Sequence, residues 1–72
     1  MTRFRVFPMQ LRPGDLFVDA SGEWEVVGEP AAMRGGKIER VWVQHPDEPA
    51  TKRAIVVPAY EKIAVRRKRA KP

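Results

Sequence analysis

The chain has one serine, Ser21, one histidine, His45, and no cysteine. A hydrolytic triad needs a nucleophile, a base and an orienting acid in mutual contact. Ser21 precedes Gly22 in a Ser-Gly turn, where a hydroxyl commonly caps backbone. His45 stands before Pro46 at a predicted strand end and reads as a surface or edge residue. One imidazole and no thiolate leave zinc without a ligand set. Asp47 and Glu48 then read as solvated turn residues, and no metal, cofactor or catalysis is expected.

The densest chemistry is cationic. Arg66, Arg67, Lys68, Arg69 and Lys71 place five cations within six positions. Residues 1–65 carry nine Lys/Arg against nine Asp/Glu, so the whole net charge of +5 belongs to residues 66–72. The expected organisation is a neutral domain over 1–65 with a disordered basic tail over 66–72. Phosphate contacts from such a tail release counterions and give sequence-independent affinity for DNA or RNA. Arg adds bidentate geometry to them. The plain alternative is a solubilising terminus, because short basic runs are common.

A second set lies in the body. On a predicted strand, Arg40, Trp42 and Gln44 share one face. An exposed Trp beside Arg can stack on an unpaired base. The competing reading, favoured by the need of a small domain for its aromatic area, has the long loop covering Trp42. Trp24 reads as core. Arg34-Gly35-Gly36-Lys37 has the composition of a phosphate-holding backbone nest, although two adjacent glycines fit a plain hairpin turn better. A different function class uses overlapping residues. Met33, Arg34, Trp42 and Tyr60 can edge a groove for a protein partner, with the 29–37 loop as its mobile wall.

These residues must be carried by short strands. Turn signals recur every eight to twelve residues, a spacing of sandwiches and barrels. No stretch of helical length repeats its apolar residues every 3.6 positions. Phe4 and Val6 alternate with Arg3 and Arg5, as on a strand with one wet face. In Arg12-Pro13-Gly14-Asp15, Pro presets φ and Gly accepts a positive φ, which predicts a type II turn. Strands are expected at 16–18, 24–27, 38–43, 53–57 and 63–65. The segment 53–57 is apolar enough to be buried on both sides, and 28–36 reads as one irregular loop. Pro58-Ala59-Tyr60-Glu61-Lys62 can form a helical turn with Pro at its first position. The edge strand 3–7 offers a route to a homodimer.

The layout resembles an SH3-like, partly open barrel of five or six strands, with a one-turn helix before the closing strand. The likeness covers residues 10–65 and rests on Pro13-Gly14-Asp15, Trp24-Glu25-Val26-Val27 and Val57-Pro58-Ala59-Tyr60. It also resembles short proteins of high-GC actinobacteria and their phages, which implies an accessory binding factor. Plasmid-encoded type II dihydrofolate reductases are similar in length and share a Gly-Asp opening and a Trp-bearing second strand. Their Gln-Ile-Tyr run before a proline aligns here with Ile55-Val56-Val57 before Pro58, so the ligand-touching groups are absent.

No apolar run reaches the length of about 7–15 residues of a signal peptide core or the roughly 20 of a membrane span. A cytoplasmic protein without membrane contact is expected.

Overall fold

The computed structural model describes residues 2–67. Seven strands form one sheet: β1 (Thr2–Val6), β2 (Leu16–Asp19), β3 (Gly22–Val26), β4 (Ala31–Met33), β5 (Ile38–His45), β6 (Glu48–Pro58) and β7 (Ile63–Arg67). Every pairing is antiparallel. The order is β1-β7-β2-β3-β5-β4, with β6 on the other side of β5. The sheet curls into an SH3-like, partly open barrel.

Alternation fixes which side chains fill it. Phe4 and Val6, Phe17, Trp24 and Val26, Val41 and Val43, and Val65 turn inward, and Leu11 is buried with them. Val26, Val41 and Val43 are wholly buried. Burying each such side chain stabilises the fold by about 1.5–3 kcal/mol.

The turns follow local chemistry. Asp15 N–H donates to Arg12 O at 3.0 Å across Pro13-Gly14, and Gly14 sits at φ 97°. That is the expected type II turn, and it delivers Asp15 to the interior. At the β2–β3 hairpin, Asp19 pairs with Gly22 around Ala20-Ser21.

Several expectations are corrected. The stretch 28–36 is not one loop. Met33 pairs with Ile38 and Ala31 with Arg40, so β4 continues along the β5 edge that β3 began. The break between β3 and β4 falls at Gly28-Glu29-Pro30, where proline has no N–H for a ladder. The hairpin turn then closes over 34–37, with Arg34, Gly35 and Gly36 all at positive φ.

The helical turn lies at Pro8–Gln10, not before the last strand. Pro58 ends β6 opposite Ile38, and Ala59 N–H donates to Lys37 O at 3.0 Å. That ladder leaves too few residues for a helix, and 59–61 form a turn. The segment 53–57 belongs to a longer strand that pairs only with β5, so it is an edge and its outer side is open. The domain does not end at residue 65, because β7 continues through Arg66 and Arg67.

Candidate nucleic-acid interface

The sequence-selected cations separate into three groups. Arg66 and Arg67 belong to the barrel. Arg66 pairs across the sheet with Arg3 and Leu16, and its guanidinium forms a salt bridge with Glu23. Arg67 holds Asp15 with Nε–Oδ1 and Nη2–Oδ2 hydrogen bonds of 2.7 Å each. It also donates to Gln10 O at 3.1 Å and lies over the Phe4 ring at 4.7 Å. The hydrogen bonds and charge of Asp15 raise the Arg67 pKa. Both arginines are thus neutralised within the fold, which corrects their assignment to a free tail. Lys68, Arg69 and Lys71 lie outside the described residues.

The remaining group is on the outer face of β4, β5 and β6. Glu39, Val41 and Val43 of β5 are buried, so Ile38, Arg40 and Trp42 point out. The registers place Val56 beside Arg40, Ala54 beside Trp42 and Pro58 beside Ile38. On the other side Ala31 lies beside Arg40 and Met33 beside Ile38. Trp42 is 40% exposed, so the loop does not cover it. Gly28 backs the indole instead, and a Cβ there would stand 3.5 Å from Trp42 Cβ. Lys52 Nζ sits 5.5 Å from the Trp42 ring centroid, a cation–π distance.

Lys52 was not selected from sequence. A strand reaching back from 53 to 48 would have revealed it, but Pro49 and the turn residues hid that extension. The outward positions of β4 and β5, and those of β6 from Lys52 to Pro58, include no carboxylate. Along β5 the surface therefore reads cation, aromatic, cation, apolar: Lys52, Trp42, Arg40, then Ile38 flanked by Met33.

Of the groove residues, Met33 shares this face with Trp42. Arg34 is in the adjoining turn at φ 52°. Tyr60, 74% exposed, follows β6 in the next turn. The segment 34–37 is a hairpin turn, with Gly36 N–H donating to Met33 O at 3.1 Å and Lys37 N–H to Arg34 O at 3.3 Å. At least these two N–H groups are directed into the turn and not toward a ligand.

Trp24, Ser21 and His45 form a different constellation. Trp24 is 2% exposed. Its Nε1–H donates to Asp19 Oδ1 and Ser21 Oγ, both at 3.0 Å. Ser21 Oγ–H donates to Asp19 Oδ1 at 2.6 Å. Ser21 thus caps a side chain with its hydroxyl, not backbone as expected. The Ser21 hydroxyl above all, assisted by the Ser21 and Gly22 N–H groups and the Trp24 indole, lowers the Asp19 pKa below 3.8. His45 is not a plain surface residue. Its ring stacks on Trp24 with centroids 4.0 Å apart, and Nδ1 lies 2.8 Å from Glu23 O. Arg53 lies over the same indole at 4.8 Å. This cluster packs one end of the core, and Ser21 and His45 each serve Trp24.

Among the described residues, no group of three or more His, Cys, Asp or Glu side chains could hold a metal ion. No helix among the described residues is long and apolar enough to cross a membrane. The chain matches no known family, and no curated protein or solved structure is close enough to it to establish a relationship.

Proposed function

We propose that the protein is a non-catalytic cytoplasmic module that binds single-stranded nucleic acid on the outer face of β4–β6. The observation that carries this reading is the exposed Trp42 ring between Lys52 and Arg40, with no carboxylate at the outward positions of β4 and β5 or of β6 from Lys52 to Pro58. An unpaired base stacks on an aromatic side chain for about 1–3 kcal/mol whatever its identity. Lys52 and Arg40 flank that platform where the adjoining phosphates of a strand would lie. A second base then meets the apolar Ile38, Met33 and Val56.

Successive outward positions on a strand are about 6.6–6.8 Å apart. Stacked bases in a duplex strand rise only about 3.4 Å. The spacing therefore favours an extended strand over a duplex. Lys68, Arg69 and Lys71 would add phosphate contacts that carry no sequence information.

Titration of a short, dye-labelled oligothymidine, followed by the fluorescence anisotropy of its dye, tests this reading. Trp42→Ala should weaken binding by about fivefold to a hundredfold. Equal binding by Trp42→Ala and the parent chain would refute it.

A second reading has support from the same face. Met33, Trp42 and Val56 on that face, and Tyr60 in the turn after β6, are exposed apolar or aromatic groups and suit a protein partner. Binding of a protein that persists at high salt, with no oligonucleotide binding, would favour it.

A further inference from the structure

The opposite part of the sheet carries a charge pattern that the nucleic-acid reading does not use. Arg3 of β1, Arg66 of β7, Leu16 of β2 and Glu25 of β3 form one row across the outer face. The next row begins with Arg5 and Ala64 and continues with Val18 and Glu23. Each row is basic at the β1 edge, acidic at β3 and carries an apolar residue between. Among the described residues, Arg3, Arg5 and Glu25 form no ion pair.

Strands β2 and β7 share only the Leu16–Arg66 pair and part beyond it. The parting opens a groove of about 670 Å³ whose walls include Val18 and Ala64. Val18 is 69% exposed. A protruding valine and a hollow over a small alanine thus lie side by side.

We propose that this face binds a second copy of the chain about a two-fold axis parallel to the strands, between β7 and β2. That rotation reverses the strand order and keeps each row level. Arg3 then meets Glu25 of the second copy, Arg5 comes to the Arg66–Glu23 ion pair of the second copy, and Val18 stands over the Ala64 hollow. Each contact occurs twice, as an isologous interface requires. An in-plane axis perpendicular to the strands would put the basic edge on the basic edge, so charge selects the first arrangement. Aligned sheet packing of this kind is common, within about 30°. The face is small, so the dimer is weak and sensitive to salt.

Sedimentation velocity of the full chain over a concentration series tests the interface through charge exchange. The parent chain should dimerise, and Arg3→Glu alone or Glu25→Arg alone should each weaken self-association at least tenfold. An equimolar mixture of the two variants should recover dimers, because both Arg3–Glu25 contacts become complementary again. Val18→Asp, at an exposed position, should also give monomers with an unchanged circular dichroism spectrum. A parent chain that stays monomeric at millimolar concentration would overturn the proposal. So would variants that dimerise like the parent, or a mixture that stays monomeric.

Discussion

Arg67 and Asp15, 52 residues apart, meet in a two-pronged ion pair with both hydrogen bonds at 2.7 Å. The Asp15 side chain is 1% exposed and that of Arg67 is 23% exposed. Asp15 also accepts the Arg12 N–H at 3.0 Å. The pair ties the last strand to the first turn, so the C-terminal end of β7 is structural before it is anything else. Removing one partner of a buried pair leaves the other charge uncompensated. Arg67→Ala should destabilise the fold by about 2–4 kcal/mol, discounted for the partial exposure of Arg67. Urea unfolding measures this. A chain ending at Val65 should lose at least as much, whereas one ending at Arg67 should unfold at the parent midpoint.

The two tryptophans should behave as opposites. Trp24→Ala removes an enclosed side chain and the two hydrogen bonds that its indole N–H donates, and should cost about 3–5 kcal/mol. Trp42→Ala should cost about 1 kcal/mol or less, as surface changes do. Acrylamide quenching of single-tryptophan variants checks the difference directly. The chain retaining Trp42 should be quenched readily and the one retaining Trp24 poorly.

The Asp19 site gives an acid dependence whose sign is fixed. Ser21 and Trp24 hydrogen bonds favour the carboxylate, so the folded-state pKa lies below the ordinary 3.8. The stabilisation is present above the unfolded value and is lost as pH falls through the folded one. Ser21→Ala should move the Asp19 pKa back up. Monitoring the Asp19 carboxyl carbon and the Trp24 indole N–H by NMR between neutral pH and pH 2 would detect both effects.

The barrel was legible because its strands alternate cleanly. Phe4/Val6 and Val41/Val43 set faces from sequence alone, and Pro13-Gly14 set a turn. What escaped was long-range or too short to show a period. β4 is three residues, Ala31–Met33, inside a Gly/Pro-rich stretch, and it exists because β5 offers a free edge. Arg66 and Arg67 looked like tail because their acidic partners, Glu23 and Asp15, are 43 and 52 residues away. Trp42 was half legible. Its alternation placed it outward with Arg40, but only the folded structure showed that the loop leaves it 40% exposed and that Lys52 joins it.

The most direct test of nucleic-acid binding is the salt dependence of oligothymidine affinity, measured for the full chain and for a chain ending at Arg67. Arg40 and Lys52 with Lys68, Arg69 and Lys71 make five candidate phosphate contacts. For a single strand the log–log slope should be about −3 to −4 with all five, and about −1 to −2 once the last three are removed. Both slopes are expected, with weaker binding of a duplex of equal length. No binding by the full chain at low salt would contradict nucleic-acid binding.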